Sequence, residues 1–438
     1  MVLFCFSHTQ VYNETMTNSS SSNTYKNIQG AIRRAGEDLG FSESTITTIT
    51  NPYNVINESV MVEGIDTPIN MYRVQFNNAL GPYKGGIRFH PDVDLDEVKT
   101  LAITMMLKCS LVGIPMGGAK GGATLNPEDY TETEIEAVAR AWVRTMHEYI
   151  GVDKDIPAPD VNTNGQIMSY MLDEFEQIVG RSEPGVITGK PIALGGSVGR
   201  EQATSQGGVY VLQQLLEYLP DRVGNKQVII QGFGNVGSYA ATLLADAGYT
   251  IVGISDSKGA IYRSSGLNVH DILKRKNELR TSLHDMFADD ASVDTILNEE
   301  LLVRPCDILI PAALENQITA DNAGDIQARI ILELANNPTS ADADTILNNR
   351  DIMVVPDFLA NAGGVTVSYF EWVQNREQYY WDAQTVDERL HTIMTNATKK
   401  TFELAKNQSF TLREAGFNLA VERVAHAVAL RGSGHIKK

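Results

Sequence analysis

A strand-like run, a glycine turn and a helical run follow one another between residues 228 and 247, and this succession limits the fold more than any other stretch of the chain. Val228 to Gln231 reads as a buried strand, Gly232-Phe-Gly-Asn-Val-Gly237 as the turn and Val236 to Ala247 as the helix. A lone GxGxxG match is weak. Here a strand enters it, a helix leaves it, and Asp256 ends the next strand, Thr250 to Ser255, roughly 20 residues further on. The first glycine permits the tight turn, the second lets backbone approach a pyrophosphate, and the third lets helix and strand pack closely. The helix start then offers free N–H groups and positive partial charge to phosphates. Further apolar strands at Asp307 to Ile310, Arg329 to Leu332 and Ile352 to Val355, separated by helical patterns, imply a parallel sheet covered on both faces. Asp256 has two readings: it accepts hydrogen bonds from the adenosine ribose, favouring NAD over NADP, or it caps the turn Asp256-Ser-Lys-Gly. Lys258 could offset its charge and hold a phosphate, so both cofactors stay open.

At 438 residues the chain exceeds what one hydrophobic core usually supports, so two domains are expected. A formal net charge of -18 argues against nucleic-acid binding, since nothing would neutralise a row of phosphates. Charge of that size keeps molecules apart in solution. Cys5, Cys109 and Cys306 are scattered with no metal-ligand spacing, so neither a disulfide framework nor a metal site is implied, and the pattern fits a reducing, cytoplasmic setting. The apolar opening, Met1 to Phe6, is too short for a signal core, and residues 1–24 read as a disordered lead, with Met16 an alternative start. No apolar run reaches the roughly 20 residues that a bilayer crossing needs. The Asn-x-Ser/Thr triplets at Asn13, Asn18 and Asn57 are read as chance matches.

In the first half, Asp94 to Leu111 is a helix candidate with Leu95, Val98, Ala102, Met105 and Met106 on one face. Thr131 to Tyr149 is another, opened by a capping box of Thr131 and Glu134. Met71 to Phe76 alternates like a strand, and the runs Gly81 to Gly86 and Gly117 to Gly122 read as loops flanking the first helix. Gly185 to Gly208 reads as the crossing between domains, and beyond Asn361-Ala-Gly-Gly the chain turns helical, from Val365 to Gln374 and from Asp387 to Lys406. Three lysines occupy unusual contexts: Lys84 in Pro82-Tyr-Lys-Gly-Gly-Ile-Arg-Phe, Lys108 in the apolar region of a helix, and Lys120 in Gly117-Gly-Ala-Lys-Gly-Gly122. A lysine bounded by glycines is held close to backbone, where desolvation and neighbouring cations push its pKa down and suit it to acid–base chemistry. No Ser or Thr follows Lys120, so the run is not a P-loop.

These residues resemble the glutamate, leucine, phenylalanine and valine dehydrogenase family, and within it the glutamate branch. The resemblance runs from Gly30 to Leu430 and rests on Pro82-Tyr-Lys-Gly-Gly-Ile-Arg-Phe-His-Pro91, Ile114-Pro-Met-Gly-Gly-Ala-Lys-Gly-Gly122, Ile156-Pro-Ala-Pro-Asp-Val-Asn162, Thr188-Gly-Lys-Pro-Ile-Ala-Leu-Gly-Gly-Ser197, the turn from Gln231, and Asn361-Ala-Gly-Gly-Val-Thr-Val-Ser-Tyr-Phe-Glu371. It implies an α/β chain with an N-terminal α/β substrate and oligomerisation domain, residues 25–196, and a Rossmann-type dinucleotide-binding domain, residues 197–375. C-terminal helices, residues 376–438, would pack back toward the first domain. It implies Lys120 as catalytic lysine with Asp160 as acidic partner, Lys108 on the α-carboxylate, and Lys84 with Ser368 on the side-chain carboxylate. Thr204 and Asn336 would lie by the nicotinamide half. Gly232, Gly234, Asn235, Val236 and Gly237 would hold the phosphates, and Asp256 the ribose. The implied activity is reversible oxidative deamination of glutamate to 2-oxoglutarate and ammonia with NAD or NADP, in a homohexamer that uses no metal, nucleic acid or membrane. Met105 departs from members that carry a substrate-contacting Gln there, which removes one polar contact.

Two competing readings remain. A dehydrogenase for branched or aromatic amino acids is disfavoured, because Lys84 and Ser368 would be left unpaired beside an apolar side chain at about 1–3 kcal/mol per group. A non-catalytic paralogue is disfavoured because Lys120, Asp160 and the glycine turn are all intact.

Overall fold

The computed structural model describes residues 21–432, with side chains from residue 24. Among these, the chain divides into two compact units: one of residues 21–200, 365–389 and 417–432, the other of residues 201–364 and 390–416. Cys5, Met16, Asn13, Asn18 and the expected lead up to residue 20 lie outside the described residues; Ser21 already opens a helix.

The first unit is built on a five-stranded mixed sheet in the order β1-β2-β4-β3-β5, with β1 Asn54–Val60, β2 Ile69–Asn77, β3 Tyr83–His90, β4 Gly118–Thr124 and β5 Asp155–Pro159. Helices α1 Ser21–Asp38, α2 Glu43–Thr50, α3 Leu95–Leu111, α4 Glu132–Met146 and α5 Gly165–Val179 accompany it. The caps follow the sequence: Asp94 accepts from the Glu97 N–H at 2.7 Å to start α3, and Thr131 with Glu134 forms the expected capping box of α4. Both faces of the sheet are covered. Met71, Ile87, Phe89 and Ala123 meet Val138, Trp142, Met146, Met168 and Phe175 of α4 and α5 in one core. The two-residue alternation of strands therefore turns Lys84, Arg88 and Lys120 to the opposite face.

Most of both glycine runs expected to be loops is strand, from Tyr83 in the first and from Gly118 in the second, which corrects that reading. Their glycines are needed for close approach and not for turning. A Cβ at Gly85 would stand 1.6 Å from the Ala119 carbonyl oxygen on the neighbouring strand, and one at Gly118 would stand 2.3 Å from the Met106 nitrogen of α3. A buried ion pair ties the sheet together. Arg73, fully buried, donates from Nε to Asp155 Oδ2 at 2.8 Å while Gln75 donates to the same oxygen at 2.8 Å.

The second unit holds a seven-stranded sheet: β6 Gln227–Gln231, β7 Thr250–Asp256, β8 Gly259–Tyr262, β9 Asp294–Ile296, β10 Ile308–Pro311, β11 Ile330–Leu332 and β12 Met353–Val355, in the order β12-β11-β10-β6-β7-β8-β9. The five strands read from the sequence pair in parallel, and β8 and β9, which the sequence reading missed, add an antiparallel edge. Strand order reverses at β6, so the glycine turn at its carboxyl end lies at the topological switch point where such sheets bind ligands. The longer helices are α6 Ala203–Tyr218, α7 Asn235–Asp246, α8 Val269–Leu279 and α9 Ala341–Asn349, with α10 Gly363–Glu377, α11 Ala383–Gln408 and α12 Leu412–Arg431 continuing the chain through both units.

The unit boundaries differ from those expected. Residues 197–200 and 365–375 group with the first unit, because Gln374 donates to Ser197 Oγ at 3.0 Å and Asn375 to the Gly195 carbonyl at 2.8 Å. Residues 390–416 group with the second, where Tyr218 and Phe402 stack at 4.9 Å and His391 meets Tyr210 edge-on at 4.7 Å. Arg413 of α12 anchors that segment, reaching Glu333 at 2.7 Å and Asp344 at 2.5 Å. Burial pushes the Glu333 carboxyl up to about 7, against the pull of Arg413, with Asp357 and Asp344 adding to the rise. A carboxyl raised on folding stabilises most at low pH and gives up that stability as pH climbs from the unfolded value toward 7. Arg413→Met is expected to lose about 3–5 kcal/mol, the usual consequence of stripping one partner from a buried pair, and to lose less at pH 6 than at pH 8. Urea unfolding at the two pH values checks this; an unchanged midpoint would mean that the cluster is solvated.

Candidate active site

Strands β3 and β4 lie side by side with Ile87 opposite Gly121, which sets Gly86 beside Lys120 on the face away from α4. Asp160 follows β5 immediately and comes in over Gly86, where an added Cβ would lie 2.7 Å from its own Cβ. The missing side chain at Gly86 thus makes room for the acid. Lys120 Nζ meets Asp160 Oδ1 at 3.0 Å, and Arg88 Nε donates to Asp160 Oδ2 at 2.8 Å. Lys120 is 5% exposed, so it is nearly dry. Burial lowers its pKa, Asp160 opposes that and Arg88 reinforces it. Asp160 feels burial in the other direction, yet Lys120 and Arg88 together hold it well below the usual carboxylate range.

Lys84, two strand periods before Arg88, is 1% exposed and donates from Nζ to the Ile156 carbonyl at 3.2 Å. Burial and the cations Arg200 and Arg73 bring its pKa down to about 7. Arg200 Nε donates to Ser368 Oγ at 3.1 Å, and Ser368 itself is 2% exposed. Ser368 is placed by α10, whose Glu371 is fully buried against Lys190 at 2.7 Å and also accepts from the Gly189 N–H at 2.8 Å. Lys108 is buried on α3, the helix that lies against β4. The first unit therefore gathers a Lys120–Asp160 pair and a Lys84–Arg200–Ser368 group of polar side chains.

In the second unit the glycine turn has the form its sequence demands. Gly232 takes φ +98°, and a Cβ at Gly237 would stand 1.7 Å from the Gly232 carbonyl oxygen, so helix α7 can pack on the turn only as glycine. Gly234 is exposed with nothing within 4 Å of where a Cβ would be, followed by exposed Asn235 and half-buried Val236 in the first turn of α7. An open glycine in front of a helix start fits a diphosphate. Thr204 lies in the first turn of α6, and Asn336, just past β11, accepts from Asn361 Nδ2 at 3.0 Å.

Asp256 ends β7 as expected, and its carboxylate serves the fold. It accepts from Lys276 Nζ at 2.6 Å, the Leu283 N–H at 2.8 Å and the Lys258 N–H at 3.0 Å. The turn-forming reading of this residue is thus the one whose hydrogen bonds are visible. Arg88, Glu97, Lys190, Arg200 and Glu371 were missed in the sequence. For Arg88 the signal existed, since reading Tyr83 to His90 as a strand puts it on the face of Lys84; Arg200 and Glu371 meet their partners only through the fold. Among the described residues no cluster of His, Cys, Asp or Glu could hold a metal ion, and no helix is long and apolar enough to cross a membrane.

The comparisons with known proteins identify the family. Residues 37–177 match the Glu/Leu/Phe/Val dehydrogenase dimerisation domain, and residues 195–432 match the Glutamate/Leucine/Phenylalanine/Valine dehydrogenase family. An NAD-specific glutamate dehydrogenase of Staphylococcus aureus is 44% identical over 417 residues, covering 94% of this chain and 99% of the relative. The crystal structure of glutamate dehydrogenase from Peptoniphilus asaccharolyticus superposes with a TM-score of 0.82 at 37% identity, covering 93% of this chain and 99% of that one. The hetero-hexameric glutamate dehydrogenase of Thermus thermophilus does so with a TM-score of 0.87 at 31% identity, covering 95% and 98%. With both family domains matched in order and the sequence likeness spanning nearly the whole chain, this chain belongs to the glutamate, leucine, phenylalanine and valine dehydrogenase family.

Proposed function

We propose that this protein catalyses the reversible oxidative deamination of L-glutamate, in which glutamate, water and NAD give 2-oxoglutarate, ammonium, NADH and a proton. The observation that carries the glutamate assignment is the polar group of buried Lys84, buried Ser368 and half-buried Arg200. Two cations and a hydroxyl in such a setting need an anionic partner, and an apolar side chain would leave them unsatisfied. A substrate carboxylate supplies that partner and draws Lys84, poised near 7, fully into its charged form.

Lys108 takes the α-carboxylate, so that the substrate is held at both ends with Cα fixed between them, the positioning term of catalysis. When bound, NAD supplies the acceptor for the Cα hydride; Gly232, Gly234, Asn235, Val236 and Gly237 hold its phosphates, with Thr204 and Asn336 toward the nicotinamide half. Loss of hydride leaves an iminium carbon that water attacks. Lys120, whose burial favours the neutral amine, takes the proton of that water. Asp160, 3.0 Å from Lys120 Nζ, relays protons to the departing amino group. We further propose a homohexamer, for which the likeness to the hetero-hexameric Thermus thermophilus protein supports the number of subunits, and a cytoplasmic setting, which the scattered cysteines suit. NAD is the proposed cofactor, on the strength of the NAD-specific relatives.

The test is a panel of kcat/KM values with glutamate, leucine, phenylalanine and valine, each with NAD and NADP. Glutamate with NAD is expected to exceed every other combination. A higher value for any of the apolar amino acids would displace glutamate as substrate while leaving the family membership intact.

A further inference from the structure

We infer that Arg88 and Glu97 are positioning residues for this reaction, Arg88 gripping Asp160 against Lys120 and Glu97 gripping Arg88 from the far side. The inference rests on the roles proposed above for Lys120 and Asp160, and adds two residues that touch neither substrate nor cofactor in that scheme.

The geometry is a four-member chain of alternating charge. Lys120 Nζ meets Asp160 Oδ1 at 3.0 Å, Asp160 Oδ2 receives Arg88 Nε at 2.8 Å, and Arg88 Nη1 donates to Glu97 Oε1 at 2.5 Å. Each member comes from a different element: β4, the segment after β5, β3, and the first turn of α3. The Arg88 side chain is 19% exposed and those of Asp160 and Glu97 are 18% and 27% exposed, so the chain is largely shielded from solvent. Because both carboxylate oxygens of Asp160 are engaged by different cations, its plane is fixed, and the oxygen facing Lys120 cannot rotate away. A guanidinium held at one edge only would swing on its flexible stem; Glu97, placed by the Asp94 cap of α3, holds the second edge.

With Lys120 protonated the chain is neutral as a whole, and the alternation of charge gives the two outer residues opposite electrostatic effects on Lys120. The charges facing Lys120 are Asp160, Arg88 and Glu97; those facing Asp160 are Lys120 and Arg88; those facing Glu97 are Arg88, Lys120 and Asp94. Arg88 opposes protonation of Lys120, whereas Asp160 and Glu97 favour it. Lys120 acts as a base in its neutral form, so activity rises with pH through its pKa. Removing the Arg88 charge moves that acid limb to higher pH. Removing the Glu97 charge leaves the chain with a surplus cation and moves the limb to lower pH. A residue that only supported the fold would not shift the profile in a direction set by its own charge.

The experiment is the pH profile of glutamate kcat/KM with NAD for the full chain and for Arg88→Met, Arg88→Lys, Glu97→Gln and Lys120→Ala. Arg88→Met is expected to lose at least 10-fold, mainly in kcat, with its acid limb displaced upward. Arg88→Lys, which restores the charge without the two-edged grip, should bring the limb back while recovering only part of the rate. Glu97→Gln is expected to keep most of its rate near neutrality with the limb displaced downward. Limbs of Arg88→Met and Glu97→Gln that coincide with that of the parent, or that move the same way, would overturn the inference. If Lys120→Ala kept near-parental turnover, the underlying catalytic assignment would fall instead, so the two failures are distinguishable. Circular dichroism and NADH binding separate a misfolded variant from an informative one, and Arg88→Lys carries the test if Arg88→Met does not fold: a profile identical to that of the parent in both rate and limb would also count against the inference.

Discussion

Lys120→Ala is expected to fold, to bind NADH as the parent does, and to lose several orders of magnitude in kcat. The residue lies on β4 among glycines that are present for close packing of the backbone, and truncating its buried side chain, which faces Asp160 on the side of the sheet away from α4, leaves that backbone packing untouched. What disappears is the group that takes the proton from attacking water, together with the cation that Asp160 faces at 3.0 Å. Its loss also leaves Asp160 with only Arg88, so its carboxyl pKa rises from its depressed value. Because the interaction removed belongs to the transition state, kcat and kcat/KM should fall together with little change in substrate binding. Rapid-quench or steady-state rates with glutamate measure this. A variant retaining a tenth of the parental kcat would remove Lys120 from the base role.

Lys84→Leu is expected to invert substrate preference and not merely to damage the enzyme. In the parent, buried Lys84 and Ser368 stand with half-buried Arg200 in a setting suited to a carboxylate. Leucine removes one cation and substitutes a shorter, wholly apolar side chain, so glutamate kcat/KM should fall far more than the roughly 10-fold typical of one lost methylene contact. Methionine or norleucine should gain at the same time, since the apolar side chain would no longer face a buried ammonium that it cannot neutralise. Arg200 remains and limits the gain. The measurement is kcat/KM for glutamate and for one apolar amino acid in parent and variant. A uniform loss on both would make Lys84 a structural residue and leave the substrate assignment to family likeness alone.

Features whose physical reason is local were legible from the sequence. The turn at Gly232 to Gly237 demands a positive φ and a close helix approach within six residues, and the capping box at Thr131 closes within one turn. Parallel strands declared themselves as short apolar runs. The glycines around Lys84 and Lys120 were misread as loop formers because their reason is tertiary: the Ala119 carbonyl and the backbone of α3 occupy the space a side chain would need. Asp256 was ambiguous for the same kind of reason, since Lys276, its strongest partner, lies on a helix that sequence spacing does not bring near. The bond from Arg200 to Ser368 spans 168 positions, and no periodicity points to it. Family likeness supplied Ser368; geometry alone supplied Arg200.

The central claim is that hydride leaves Cα of glutamate for the nicotinamide while the nitrogen departs as ammonia. Glutamate deuterated at C2, incubated with NAD and the purified chain, tests this in one reaction read by mass spectrometry of the reduced cofactor and by assay of ammonia and 2-oxoglutarate. The account predicts one deuterium per NADH formed, with ammonia, 2-oxoglutarate and NADH in equal amounts, and none of the three with Lys120→Ala. Reduced cofactor without deuterium, or 2-oxoglutarate formed without NADH, would contradict it.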